Sequence, residues 1–384
     1  MRIGILAAFV LVGFFAQALS AQGAFALRPT SANTELLYVA TAPFSVLAVG
    51  MTGRPALASL EHQPRTGVLF AAGGNQDGGN LYTLDSQSGT ATLVGPTGFN
   101  AVPGLCFALD GALYGTATIA GGGIASNGLI AIDPWSGAAT VVGSFGLANG
   151  LNVQGLEDLA VDPFSGNVLA TTNFNFDGTP GDLFSVDLAT GQATFLGSLV
   201  ESGLGVPLAV PIAGLSFDRS GQLFGSLGNG DGRIVSIDRT ALTFSVIGDA
   251  ANGSVSDLSI DHRPAVDSGG GKPGQGGTTP TFRAGGRLVY GDAADFVLAA
   301  AAPLAPAYAV VGNLAAPQTI LDGLLVPSVD LILGPYFTDP AGSIVLSVGG
   351  GAGPLDFFVQ WAVYDAAASG SASLSNALAV TIRN

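Results

Sequence analysis

Sulfur, lysine and charge are scarce in this chain. Its 384 residues hold one cysteine, Cys106, so no intrachain disulfide can form. Cys106 lies in an apolar strand pattern and reads as a buried, inert thiol. Lysine occurs once, at Lys272, and histidine twice, at His62 and His262. Charged residues make up 10% of the chain, with 27 acidic against 12 basic, for a net charge of −15. That balance excludes nucleic acid as a partner, because such binding rests on neutralising phosphates. It also leaves no basic patch for anionic lipid. No P-loop, dinucleotide fingerprint or Ser-His-Asp arrangement is present. Gly121-Gly122-Gly123 lies between strands rather than before a helix, so it is no phosphate cradle. Residues 296–317 are apolar, but three prolines, a glycine, an asparagine and an alanine-rich bulk argue against a membrane span.

Glycine and apolar residues are abundant: 58 glycines, and 48% hydrophobic. With Val, Leu, Thr and Phe, that mix favours short strands and tight turns over helices. At the start, Met1 and Arg2 precede an apolar run over residues 3–16, and small residues follow. This is the pattern of a secretory signal peptide, cleaved between Ala18 and Ala26; an uncleaved anchor is the alternative. Removing residues 1–26 takes away one cation and no acid, which gives a mature charge of −16.

Self-similarity dominates the rest. The unit LYTLDSQSGTATLVG (81–95) recurs as LIAIDPWSGAATVVG (129–143) and LFSVDLATGQATFLG (183–197). Looser copies are RIVSIDRTALTFSVIG (233–248) and LLYVATAPFSVLAVG (36–50). Each reads as a hairpin: alternating apolar residues, an Asp that opens the turn, a Ser/Thr-Gly pair at positive φ, and a Thr/Val return strand. A second hairpin alternates with it, at 59–72, 107–117, 159–172 and 215–227, with a truncated copy at 258–264. The terminal glycines Gly50, Gly95, Gly143, Gly197 and Gly248 recur about every 50 residues, and two hairpins per period make a four-stranded blade.

These motifs resemble the secreted bacterial propellers built on L-Y-x-I-D-x-x-T-G-x-x-T-x-V-G units, and more distantly kelch, NHL and quinoprotein repeats. The resemblance covers about 230 residues and implies an all-β fold with a β-propeller. It says almost nothing about activity. Four full blades fit residues 59–248. Residues 36–50 supply two outer strands of a fifth and 255–261 its inner strand, so both termini would close the ring; its inner return strand is missing or supplied by the linker.

The expected domains are a signal peptide at 1–26, a propeller at 27–264, a flexible Gly/Pro-rich linker at 265–281 and a C-terminal β-sandwich-like module at 282–384. The tail resembles a C-terminal β module recurrent in exported bacterial proteins, through Gln360, Trp361, Asp365, Leu374, Ser375, Asn376, Leu378, Thr381 and Ile382. Trp361 is expected in the core and Asn376 at a turn or strand end.

Two constellations could carry chemistry. Glu157 and Asp158 precede one innermost strand and Asp257 another, so these carboxylates could converge at the channel mouth, sharing a proton or recruiting a cation. A solvated strand entrance is the alternative. Three loops between second and third strands carry hard oxygen ligands: Asn75 and Asp77; Asn175 and Asp177; Asn229 and Asp231. Calcium is the candidate ion, against a simple turn-forming role. No catalytic residue or other cofactor is evident. The expected function is a secreted or cell-surface, periplasmic-side bacterial module that binds a protein, glycan or cation on its irregular loop face, without catalysis. The alternatives are an exported hydrolase or lyase at the channel mouth, and a structural envelope or matrix component.

Overall fold

The computed structural model describes residues 23–382 apart from 31, 42, 65, 120–125, 164, 173–180, 209, 219–220, 251–252, 261–264, 287, 289–292 and 351–354. The chain divides into two compact units, Leu19–His262 and one holding Arg263–Asn384. Both are built from strands.

The first unit opens with β1 (Gly23–Pro29), β2 (Thr34–Thr41) and β3 (Phe44–Met51). A second sheet follows: β4 (Leu57–His62), β5 (Leu69–Gly73), β6 (Asn80–Leu84) and β7 (Ala91–Pro96). The third holds β8 (Leu105–Phe107), β9 (Leu113–Ala117), β10 (Gly128–Ile132) and β11 (Ala139–Ser144). A short hairpin, β12 (Leu147–Ala148) with β13 (Leu151–Asn152), leads to the fourth: β14 (Leu156–Val161), β15 (Val168–Thr172), β16 (Asp182–Val186) and β17 (Ala193–Ser198). Next, β18 (Val200–Glu201) precedes the fifth: β19 (Ile212–Phe217), β20 (Leu223–Leu227), β21 (Arg233–Asp238) and β22 (Thr243–Asp249). Finally β23 (Asp257–Ile260) pairs with β1 and completes the first sheet in the order β23-β1-β2-β3. The leading strands touch in the cycle β4, β8, β14, β19, β23 and β4 again. The fold is all-β and of propeller type.

Local chemistry explains each sheet. Asp85 Oδ1 accepts the amides of Gln87 (2.8 Å) and Ser88 (3.0 Å), and Asp133, Asp187 and Asp238 do the same in their own turns. Gly89, Gly137 and Gly191 then take φ near +79° (78°, 79° and 80°), which closes the hairpin. In all five sheets one unpaired residue precedes the terminal glycine: Val49, Val94, Val142, Leu196 and Ile247.

Those glycines have a second task that the repeat alone does not reveal. A Cβ on Gly50, Gly95 or Gly143 would lie 2.1, 2.0 or 2.0 Å from the backbone oxygen of Ser88, Ser136 or Thr190, in the Ser/Thr-Gly turn of the next sheet. Neighbouring sheets therefore meet backbone to backbone. At the last two junctions the facing groups are side chains instead, Leu242 against Gly197 and Phe44 against Gly248.

Two expectations need correction. The strand thought missing from the first sheet is β1, and it begins at Gly23, inside the segment assigned to the signal peptide. Ala24 and Ala26 are buried and pair with Ile260 and Leu258. Small residues hid this strand because they also resemble a cleavage site. The presumed linker is likewise folded: β24 (Ala265–Gly269) pairs with the last strand of the chain, and Lys272 is buried, bonded through its backbone to Leu374 and through Nζ to the Ser369 carbonyl.

The second unit continues with β25 (Thr281–Gly286), β26 (Ala293–Ala299), β27 (Pro306–Gly312), β28 (Ala315–Ile320), β29 (Gly323–Pro327), β30 (Leu331–Phe337), β31 (Ile344–Gly349), β32 (Leu355–Tyr364), β33 (Ala372–Leu374) and β34 (Ala377–Ile382). One sheet runs β24-β34-β32-β27-β30, with β33 also on β32; another runs β25-β26-β31; β28 and β29 form a hairpin. Phe282, Phe296, Leu298, Trp361 and Val380 share one core. Trp361 meets Phe282 and Tyr336 edge-on, at 6.1 and 5.5 Å. Asn376 clamps β25, accepting from the Phe282 amide (2.7 Å) and donating to its carbonyl (2.9 Å). Among the described residues no helix is long and apolar enough to cross a membrane.

Candidate functional site: a carboxyl cluster on the leading strands

The five leading strands align on one leucine each: Leu60, Leu105, Leu159, Leu215 and Leu258, all buried. With a side-chain period of two, the residues on either side of each leucine share a face. On one side stand Ser59, Gly104, Asp158, Gly214 and Asp257. On the other stand Glu61, Cys106, Ala160, Ser216 and Ser259.

Leading strands of adjacent sheets share no ladder, so side chains bind them together. Asp257 Oδ2 accepts the Leu60 amide (2.5 Å), and Asp158 Oδ2 accepts that of Leu215 (2.6 Å). Ser259 Oγ accepts the His62 amide (3.0 Å), and Ser216 Oγ that of Ile260 (2.9 Å). Glu61 also takes an amide hydrogen bond from Phe107, and Asp158 one from Leu105. Every junction of the cycle is stitched in this way.

The electrostatics follow from burial. Asp158 is 1% exposed and Asp257 0%. Loss of water pushes Asp158 up to about 7, against the lowering pull of its amide donors and Asp257. Asp257 is driven well above the usual carboxylate range, first by burial and then by the Asp158 charge. Asp158 Oδ1 has no hydrogen-bond partner of ordinary geometry among the described residues, and Asp257 is the ionisable group beside it whose charge bears on its own. Glu61 is raised well above its usual value by burial and then by Asp158. Glu157, partly exposed at the strand entrance, is pushed up to about 7 by burial and then by Asp158. The Cys106 thiol is raised by burial, Glu61 and Asp158, which makes it a poor nucleophile. Ser259 Oγ lies 3.0 Å from Glu61 Oε2 and 2.9 Å from His62 Nδ1.

The structure thus brings Asp158 and Asp257 together and sets Glu157 beside them. Sequence reasoning missed Glu61, Cys106, Ser216 and Ser259. Aligning the five copies on their leucines would have placed all four at one position.

The calcium candidates fare differently. Asn75 is exposed, and Asp77 Oδ1 accepts the Tyr82 hydroxyl (3.1 Å). Asn229 takes φ of +54° in a turn, and Asp231 is held by Arg233 in an ion pair of 2.6 Å. Asn175, Asp177 and His262 lie outside the described residues. Among the described residues no three His, Cys, Asp or Glu side chains are arranged to hold a metal ion.

No protein-family model and no curated protein matches this chain. Solved structures do. One is a chain of a nidogen/laminin complex, at 12% identity and a TM-score of 0.44, with 63% of this chain and 100% of that one covered. Another is a structural-genomics protein of unknown function from Bacteroides thetaiotaomicron, at 12% identity and 0.42, covering 64% and 66%.

Proposed function

We propose that this is an exported, non-enzymatic propeller of five blades, closed by strands from both ends of the first unit, which holds a protein partner through the connections between blades. The second unit is a β-sandwich-like module that supports display. The carrying observation is where the apolar side chains stand. The β12–β13 hairpin leaves Leu147 65% and Leu151 51% exposed, and the connection after β18 leaves Leu204 69% and Val206 52% exposed. Both connections lie along the outer strand of the sheet that follows: β12 packs on β17, and β18 pairs with β22 in parallel. Exposed leucine and valine suit an apolar protein surface better than a glycan. The buried carboxyls support the non-enzymatic reading, since their oxygens serve backbone amides of neighbouring strands.

The test is retention of envelope proteins from the producing cells on immobilised protein, with Leu147→Asp/Leu204→Asp alongside. The wild type should retain a defined protein and the variant lose it, with soluble glycans making no difference. Equal retention by the variant, or substrate turnover lost in Asp158→Asn, would overturn the proposal.

A further inference from the structure

The cluster at the leading strands has a consequence separate from partner binding. Four sheets receive all their main strands from one stretch of chain, but the first joins β23 to β1, 230 residues away in register (Leu27 to Asp257). The two ends of the unit thus meet in the β1–β23 ladder, and β23 packs in turn against β4, the leading strand of the next sheet. The β23–β4 junction is stitched by Asp257 on the Leu60 amide and by Ser259 on both the His62 amide and Glu61.

We infer that Glu61, Asp158 and Asp257 form a proton-dependent clasp, which holds the five leading strands in a closed ring while it carries protons and loosens the β23–β4 junction when it ionises. The groups facing the cluster have been named strand by strand: Glu61 and His62 on β4, Cys106 on β8, Glu157 and Asp158 on β14, Ser216 on β19, Asp257 and Ser259 on β23. None of the four carboxyls forms an ion pair with arginine or lysine among the described residues. Ionisation thus adds like charges at a buried centre where, among the described residues, no arginine or lysine answers them. The Ser259 hydroxyl donates to Glu61 Oε2 and steadies the ionised form, but burial and the Asp158 charge outweigh it and keep Glu61 on the protonated side. A proton on Asp257 serves the otherwise unpartnered Asp158 Oδ1. That last arrangement fails when the proton leaves, and ionised Glu61 adds its charge to that of Asp158.

The sign follows from linkage. These carboxyls hold their protons in the folded state to higher pH than in the unfolded chain, where they titrate near 4. Between those values folding takes up protons, so stability falls as pH rises. The direction is opposite to that of the exposed turn carboxylates Asp85, Asp133, Asp187 and Asp238, which are lowered by their amide donors and lose their contribution only in acid.

The experiment is urea unfolding of the full mature chain from pH 5 to 8.5, with exchange of β4 and β23 amides read by mass spectrometry against intrinsic rates. Each proton retained by the folded state lowers the folding constant about tenfold per pH unit. Wild type should fall by at least that factor between pH 5 and 7, with β4 and β23 amides losing protection first. Asp158→Asn/Asp257→Asn should flatten the profile. A flat or rising wild-type profile, or an unchanged slope in the double variant, overturns the inference. Infrared spectra of wild type serve if the variant does not fold: a buried protonated carboxyl band must be present at pH 6 and shrink by pH 8.5, and its absence is equally decisive. Loss of the partner-binding leucines leaves all of these readouts unmoved, so the two proposals fail separately.

Discussion

Replacing Gly95 by alanine isolates the contact that spaces the sheets. The added Cβ would sit 2.0 Å from the Ser136 oxygen, whereas ordinary contact starts at 3.4 Å. The obstacle cannot swing aside. It is backbone, in a turn fixed by the Asp133 carboxylate, which accepts the Trp135 amide (2.9 Å) and the Ser136 hydroxyl (2.8 Å). Either two sheets separate locally or the turn breaks. Overpacking of this kind costs about 1–3 kcal/mol. Alanine also restricts the unfolded chain, which returns about 0.4–1 kcal/mol at a tolerated site. The net loss should be about 1 kcal/mol, the same at Gly50 and Gly143. Gly248→Ala meets the side chain of the half-buried Phe44 instead and should lose less, because that side chain can swing about its Cα–Cβ bond whereas a turn carbonyl cannot. Gly349→Ala, with nothing within 4 Å and in the other unit, is the control. Urea titrations followed by pulse-labelled hydrogen exchange report each unit by its own peptides. A Gly95→Ala midpoint equal to wild type, or a cost no larger than that of Gly248→Ala, would refute the backbone-to-backbone account.

Two further outcomes follow from the corrected boundaries and the second unit. Removing any of Gly23 to Ala26 cuts into β1, which pairs along its length with β2, so on the proposal that the chain is exported and processed, its mature N-terminus, read by intact mass, should lie at or before Gly23; a mature chain starting after Ala26 would contradict the assignment. Gln360 is fully buried and serves three backbone groups, accepting from Val326 N (2.8 Å) and donating to the Leu324 (3.0 Å) and Ser375 (2.6 Å) carbonyls. Gln360→Leu strands the Val326 amide and the Ser375 carbonyl at about 1–3 kcal/mol each, while the Leu324 carbonyl keeps its bond from the Gly271 amide (3.1 Å); the second unit should therefore unfold several degrees earlier in calorimetry with the first unchanged, and an unshifted transition would mean that water takes over those bonds.

The hairpins were legible because their determinants are local. An Asp that caps a turn and a glycine at positive φ six or fewer residues apart leave a mark that repetition makes plain. The β1 strand and the 265–281 segment were not, for the opposite reason. β1 is small and apolar on the heels of an apolar run, and its identity depends on β23, far along the chain. In the second segment Gly269, Gly270 and Gly271 all take positive φ, yet the backbone there bridges to Leu324 and Leu374. Glycine that permits flexibility also permits a close approach, and only the partner strands distinguish the two.

The same limit governs the carboxyls. Their presence at the entrance to leading strands was readable; their purpose was not, because the Asp257–Leu60 and Asp158–Leu215 bonds join residues 197 and 57 positions apart. A cycle of sheets needs something to hold neighbours whose strands do not pair. At the rim this chain uses glycine against a turn, and at the centre it uses oxygen against an amide. The rim solution repeats because it is steric and neutral. The central one varies, with serine at some junctions and a carboxyl at others, and each buried carboxyl carries a desolvation cost that a hydroxyl does not. Three buried carboxyls therefore make this centre easy to hold when protonated and costly when ionised, which is the physical basis on which the inferred clasp would respond to proton concentration.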